Sequence, residues 1–112
     1  MRNIDSLKNS KEFQRIYGVR DTKADRNLVI YKAEGTGKTG IVCSKKVGNS
    51  VVRHRVVRLI REAYRLNKEN IRKDKDIIIV ARNAAKEQGY TEIRDSLIKL
   101  LKKHGIYDEM KN

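Results

Sequence analysis

One short segment, residues 76–81, restricts the fold more than any other part of the sequence. Its letters are DIIIVA, so apolar side chains occupy successive positions instead of alternating with polar ones. Successive side chains of a strand point to opposite faces of a sheet, so a strand of this composition is buried on both faces. The segment therefore predicts the central strand of a sheet that is covered by other layers on both sides.

The segments before this strand predict a βαβ unit. Residues 40–43 (GIVC) have the composition of a strand, and residues 50–70 have the apolar periodicity of a long helix. Two strands joined by a crossover helix normally run parallel, and the crossover is normally right-handed. A strand at 40–43 that runs parallel to the strand at 76–81 is therefore expected.

The rest of the chain supplies one more strand and two more helices. Residues 28–31 (LVIY) are rich in β-branched and aromatic side chains, which is typical of a strand. Residues 7–17 and 91–103 repeat apolar side chains at helical spacing. A loop is predicted at 18–27 and a hairpin turn at 34–37. The order of elements predicts one α+β domain in which a sheet packs against helices.

The long helix separates its charged side chains from its apolar ones. At about 100° per residue, one arc carries cations: His54, Arg58, Arg61, Arg65 and Lys68. The other arc carries the predicted core side chains: Val52, Val56, Leu59, Ile60, Ala63 and Leu66. Gly48 allows a sharp entry, and Asn49 or Ser50 supplies the N-cap. The pattern indicates a helix that packs on the sheet and presents a row of positive charge.

Positive charge is concentrated in the segment that contains this helix. Residues 44–68 hold eight Lys or Arg and one Glu, a net charge of +7 out of +13 for the chain. Such a surface indicates a polyanionic partner, because each cation that neutralises a phosphate releases counterions. Nucleic acid fits better than a membrane surface, since the apolar arc lacks Trp and Phe. A basic surface that is only solvated is the alternative.

Several other kinds of chemistry are disfavoured. Gly37-Lys38-Thr39 imitates the end of a Walker loop, but Lys32 stands where that loop needs its first glycine. Cys43 is the only cysteine, which indicates a reducing compartment, and one Cys with two His does not make a zinc spacing. No segment approaches the roughly 20 apolar residues of a membrane span. The sequence therefore predicts a cytoplasmic protein.

Residues 45–62, KKVGNSVVRHRVVRLIRE, resemble the signature of the bacterial ribonuclease P protein subunit. That signature reads K-x-G-N-A-V-x-R-N-R-x-K-R-x-x-R, and this chain departs from it at Ser50 (usually Ala), His54 (usually Asn) and Val57 (usually Lys). The resemblance implies one RNA-binding domain over residues 1–112. Its expected fold is α+β, with a four-stranded sheet and three helices in the order α-β-β-(β)-α-β-α. The family's fold is similar to the second domain of a small-subunit ribosomal protein, and its crossover is left-handed.

The resemblance also implies a function and a set of site residues. Members of the family assist a catalytic RNA, which holds most of the Mg²⁺, in cutting the 5′ leader from precursor tRNA. The residues assigned to the catalytic RNA are Lys45, Lys46, Asn49, Arg53, His54, Arg55, Arg58, Arg61 and Arg65. Those assigned to the single-stranded leader are Phe13, Tyr17 and Tyr31, for which core packing is the alternative. No catalytic residue, metal ligand or protein partner is implied for the chain itself.

Other functions stay open on the residues alone. A structural RNA-binding protein of the ribosomal type shares the basic helix but needs no leader cleft. A protein-only nuclease cleaves RNA without an RNA partner, and a DNA-compacting protein binds duplex DNA and precursor tRNA equally. A solvent-open aromatic groove favours the ribonuclease P subunit, because exposed rings can stack on bases, whereas a covered one favours the structural protein.

Overall fold

The computed structural model describes residues 6–109. The strands are β1 (Asp21–Ala24), β2 (Leu28–Glu34), β3 (Thr39–Val42) and β4 (Lys75–Ala81). The helices are α1 (Ser10–Val19), α2 (Ser50–Asn67) and α3 (Tyr90–Lys103), with short 3₁₀ turns at Lys68–Asn70 and Asn83–Glu87. The strands form one sheet in the order β1-β2-β4-β3. The predicted α+β class, with four strands and three helices, is confirmed.

Strand β4 is central and buried on both faces, as its sequence predicts. It pairs antiparallel with β2 and parallel with β3. Ile77 and Ile79 pack with residues of α2 and α3, whereas Ile78 packs on the other face with Ile16 of α1. All four side chains are at most 1% exposed, and each contributes roughly 1.5–3 kcal/mol by leaving water. The parallel pairing of β3 and β4 through α2 confirms the predicted βαβ unit.

Two predicted connections are wrong. The turn after β2 does not close a hairpin, because β4 lies between β2 and β3 in the sheet. A strand that is apolar on both faces is stable only with neighbours on both sides, so β4 takes that place. The predicted loop at 18–27 contains β1, which pairs with β2 at the edge of the sheet. Three of its four residues are exposed, and so its sequence is polar.

Helix α2 is rotated relative to its predicted apolar arc. Val56, Ile60 and Ala63 are buried as expected, but Leu66 is 57% exposed and Tyr64 is buried in its place. The Tyr64 hydroxyl accepts a hydrogen bond from the Thr39 hydroxyl at 2.9 Å, beneath the helix. A buried tyrosine usually has such a partner for its hydroxyl. This contact turns the helix toward β3, and Leu66 consequently faces outward.

No helix within residues 6–109 is both long enough and apolar enough to cross a membrane.

His104, just after α3, is a fully buried titratable side chain. Its Nε2 donates to the carbonyl oxygen of Ile30 at 2.7 Å. Its Nδ1 has no hydrogen-bond partner and lies 3.8 Å from a carboxylate oxygen of Asp21. Burial lowers the pKa of His104, with help from Lys32 and Lys23, although the bond to Ile30 and the charge of Asp21 oppose this.

This lowered pKa predicts that the folded state loses stability in mild acid. The contribution of His104 is complete above the ordinary histidine pKa of about 6.5 and falls as the pH drops toward the lower pKa of the folded state. The urea concentration at the midpoint of unfolding should therefore decrease as the pH falls below about 6.5. In His104→Gln, whose amide can still donate to Ile30, the decline should be weaker. The exposed His54 serves as the control: if His54→Gln flattens the profile equally, His104 is not the responsible group.

Candidate nucleic-acid interface

The cationic arc of α2 lies on the outer surface of the helix. The Asn49 side chain caps the helix by accepting from the Val52 amide at 3.0 Å, so α2 begins where the sequence predicts. His54 and Arg58 are exposed, and Arg61 is half-buried. The cap occupies the Asn49 side-chain oxygen, which leaves its amide NH₂ as the group available to a ligand.

Three of the predicted cations are committed to contacts within the chain. Arg55 donates to the carbonyl oxygens of Lys86 at 3.3 Å and Gln88 at 2.6 Å, which ties α2 to the segment before α3. Arg65 forms a two-bond ion pair with Glu62 at 2.7 and 3.2 Å. Arg53 donates through Nε to the Gly48 carbonyl at 3.2 Å. These three side chains are less available to a polyanion than the sequence suggests.

The other cations of the set are unpaired. Within residues 6–109, the side chains of Lys45, Lys46, Arg58 and Arg61 make neither a hydrogen bond nor an ion pair. Lys45, Lys46 and Arg58 are also exposed. Positive charges that lack internal partners repel one another and are relieved by a bound anion. The electrostatic centre of the site is therefore this unpaired group and not the whole basic helix.

The three aromatic side chains predicted to bind the leader form one continuous row, which we call the aromatic row. Phe13 and Tyr17 on α1 lie with ring centroids 6.4 Å apart, and Tyr17 meets Tyr31 of β2 edge-on at 4.7 Å and 88°. Ile16 between them is fully buried and fixes α1 on the sheet. Burial, and then the nearby Tyr31, raises the pKa of Tyr17, so its hydroxyl stays neutral.

The sheet surface next to the aromatic row is only partly covered. Tyr31 is in register with Ile78, which α1 buries completely. One pair further along the strands, Val80 of β4 is in register with Val42 of β3, and both side chains are half-buried. All three rings of the row are half-buried as well. The surface is thus neither a closed core nor fully open, and Val42 and Val80 continue it along the strands beyond Ile78.

Gly40 explains how the Phe13 ring comes so close to β3. A Cβ atom at position 40 would lie 2.7 Å from one carbon of the Phe13 ring and 3.0 Å from a methyl carbon of Leu7. Any side chain there would push the ring away from the strand, so only glycine permits this approach. The sequence does not predict this role, because the approach of Phe13 to Gly40 depends on the tertiary fold and leaves no local pattern around residue 40.

The aromatic row and the unpaired cations meet at the outer edge of β3. Phe13, Gly40, Ile41 and Arg61 contribute to the lining of one cavity of about 210 Å³. Arg61 also borders a second cavity of about 420 Å³, beside Cys43 and the start of α2. One arginine is therefore shared between the two surfaces that the sequence identified separately. Together they can bind a negatively charged chain that carries flat rings.

A larger cavity, of about 810 Å³, lies between segments 69–74 and 105–108. Its lining includes Glu69, Asp74 and Asp108, and its Arg72 is already paired with Asp74 at 2.8 Å. Acidic side chains disfavour a polyanion, so this cavity is the weaker candidate despite its volume. Among residues 6–109, no three His, Cys, Asp or Glu side chains are grouped so that they could hold a metal ion.

Comparisons with known proteins agree with the motif and the fold. The Ribonuclease P family matches residues 1–105. The ribonuclease P protein component of Clostridium botulinum strain Langeland is 42% identical over 108 residues, covering 93% of this chain and 97% of the relative. That of Lachnoclostridium phytofermentans is 47% identical over 105 residues, covering 91% and 90%. The solved RNase P protein of Staphylococcus aureus is 35% identical with a TM-score of 0.81, covering 93% and 98%.

Proposed function

The chain belongs to the ribonuclease P protein family, and on this premise we propose that it helps a catalytic RNA to remove the 5′ leader from precursor tRNA. The observation that carries this proposal is the meeting of Arg61 and Phe13 in one cavity. A ligand bound there touches both a positive charge and an aromatic ring. Single-stranded RNA has the matching chemistry, because its phosphates are anionic and its bases stack.

The catalytic RNA is the proposed partner of the α2 cations. Lys45, Lys46, Arg58 and Arg61 carry the charge that no internal contact neutralises. Lys45, Lys46 and Arg58 would contact phosphates of that RNA. Arg61, which also lines the cavity beside Phe13, would lie where that RNA meets the precursor, so the group reduces the repulsion between the two. His54 adds a group that can donate or accept a hydrogen bond where the family usually has Asn. Arg53, Arg55 and Arg65 contribute less, because each already has a partner within the chain.

The leader of the precursor is the proposed ligand of the aromatic row. Half-buried rings are held in place and still present part of a face to a ligand. Stacking of one base contributes about 1–3 kcal/mol and discriminates little between bases. The half-buried Val42 and Val80 beyond the row lengthen the apolar surface along which a single strand can lie. A covered row would favour a structural RNA-binding protein. The three rings are instead half-buried with part of their surface open to solvent, which favours the ribonuclease P role over that alternative.

The chemical step is assigned to the RNA. Magnesium prefers oxygen ligands, chiefly carboxylates and phosphates. The surfaces proposed to bind RNA carry Lys, Arg and aromatic side chains, so they do not fit a magnesium site. The ions therefore belong with the RNA and its substrate. The chain's part is to bind and orient the leader and to offset charge.

The test is cleavage of a 5′-extended precursor tRNA at low magnesium concentration. Three samples are compared: this protein alone, a bacterial ribonuclease P RNA alone, and the two mixed. Cleavage at the mature 5′ end in the mixture only is the expected result. Binding without stimulation would instead support a structural RNA-binding protein. Cleavage by the protein alone would show that the chain has an active site of its own.

Phe13→Ala should weaken binding of the precursor to the ribonucleoprotein by roughly tenfold, because one stacking surface is lost. Binding of mature tRNA should not change, since it has no leader. The control is Val19→Ala, which truncates another α1 side chain that is 54% exposed and lies outside the row. Equal losses for precursor and mature tRNA would count against a leader site at Phe13.

A further inference from the structure

The cavity of about 420 Å³ beside the start of α2 has an unusual lining. Arg53, His54, Arg58 and Arg61 surround it, while Val57 and Cys43 supply uncharged surface. The family usually has Lys at the position of Val57, so this chain has an apolar side chain among cations. The volume is within the range of about 300–1,000 Å³ for sites that hold small molecules. It exceeds what a single phosphate group needs.

The uncharged part of this cavity is suited to a flat ring. Val57 and Cys43 are both half-buried, and Cys43 packs against the core beneath α2. Burial raises the pKa of the Cys43 thiol, although the charge of Arg53 opposes the shift, so the sulfur carries no charge at neutral pH. A neutral thiol behaves as a small apolar group. An anion alone gains nothing from these two side chains, whereas a nucleobase does.

The cations around the cavity are suited to the backbone that carries such a base. The side chains of Arg58 and Arg61 have no partner within residues 6–109. Arg53 uses Nε to bind the Gly48 carbonyl, which leaves its terminal nitrogens available. Guanidinium groups bind phosphates through paired hydrogen bonds. The cavity therefore places an apolar surface next to a phosphate-binding one.

We propose that this cavity is a base slot, in which Val57 and Cys43 receive one unstacked base of the precursor leader while Arg53 and Arg61 hold its phosphates, and Arg58 stays with the catalytic RNA. The inference rests on the proposed function and adds to it a binding site for the nucleotide at one position of the leader. The leader is the favoured source because Arg61 also lines the cavity next to Phe13. A strand lying on the aromatic row reaches the slot over the edge of β3, where Gly40 and Cys43 are about 10 Å apart.

The experiment measures equilibrium binding of precursor tRNA to the assembled ribonucleoprotein, with one leader nucleotide at a time made abasic. In the wild type, removing the base that enters the slot should weaken precursor binding by roughly tenfold. Removing a base that stacks on the aromatic row should also weaken binding, at a different leader position. In Val57→Lys the lysine occupies the slot, so the penalty at the slot position should fall to less than about twofold. Penalties that depend on Phe13 should stay unchanged.

Leu66→Lys is the matched control, because it adds the same charge to α2 at an exposed position outside both cavities. At every abasic leader position, this variant should lose as much affinity for precursor tRNA as the wild type does. Abasic penalties that are the same in the wild type and both variants would overturn the base slot and leave the proposed function standing. Failure of the proposed function differs, since precursor and mature tRNA would then bind equally to the wild type.

Alkylation of Cys43, the only thiol of the chain, identifies the source of the base. Its reaction with iodoacetamide should slow when precursor binds, and abasic substitution at the slot position should restore the rate. Full protection by the catalytic RNA, with no further slowing when precursor is added, would mean that the base comes from that RNA, which would overturn the assignment to the leader. Unprotected Cys43 in the full complex would overturn the slot itself.

Discussion

Asp76→Ala should lower the free energy of unfolding by about 3 kcal/mol, because it removes an anion around which a turn is built. Asp76 is 2% exposed at the start of β4. One carboxylate oxygen accepts from the amides of Thr36, Gly37 and Lys38 at 3.0, 3.1 and 2.8 Å. The other accepts from the Arg15 guanidinium at 2.5 Å. A loss of this size is a large fraction of the roughly 5–15 kcal/mol that stabilises a typical domain.

Asp74→Ala is the matched control, and urea unfolding is the measurement. Asp74 is the same residue type two positions away, but its side chain is 52% exposed and it pairs with Arg72 at the surface. Surface pairs contribute little, so its replacement should leave the urea midpoint almost unchanged. Equal effects of the two substitutions would mean that the turn does not depend on the buried carboxylate.

The acid limb of the stability profile gives a second readout of the same group. Burial by itself would raise the pKa of Asp76, but the turn amides and Arg15 outweigh it, and the net pKa is lowered. The stabilisation is therefore present above the ordinary Asp pKa of about 3.9 and is lost as the pH falls through the lower pKa of the folded state. Asp76→Asn keeps the shape but not the charge, so this acid-dependent loss should be absent from its profile.

The role of Asp76 marks the limit of what the sequence predicts. Residues 76–81 identify a central strand because apolar side chains at successive positions indicate burial on both faces of a sheet. The use of Asp76 as the anchor of a turn depends on amides 38 to 40 positions earlier in the chain. Gly35 is required for the same reason, since a Cβ there would lie 2.1 Å from the Asp76 carboxyl carbon. Local pattern carries no information about such distant contacts.

The same distinction applies to the candidate site. The Asn49 cap and the outward cations of α2 follow from local spacing, and the structure has them where the sequence predicts. The commitment of Arg55 to carbonyls 31 and 33 residues later could not be predicted, because it depends on where the chain returns. The burial of Tyr64 likewise depends on Thr39 beneath the helix. Edge strand β1 was missed because its exposed residues lack an apolar pattern.

Arg58→Ala combined with Arg61→Ala should weaken binding to a bacterial ribonuclease P RNA by roughly 30- to 160-fold at low salt, at about 1–1.5 kcal/mol for each of the two lost charged contacts. The slope of log affinity against log salt should become shallower by about 1.5, since each phosphate contact contributes about 0.7–0.9. The fold should be unaffected, because these side chains have no partner within residues 6–109. Filter binding at several salt concentrations and urea unfolding supply the two measurements.

Lys86→Ala combined with Lys103→Ala removes the same charge from exposed positions outside α2 and both cavities. If binding depends only on the net charge of the protein, both double variants should lose the same affinity for the RNA. Their slopes of log affinity against log salt should also become shallower by the same amount. If it binds the unpaired cations of α2, only the arginine variant loses both. Full affinity in the arginine variant would place the RNA on another surface. Unfolding of that variant would mean that the cationic arc belongs to the core, because a surface arginine without partners contributes little to stability.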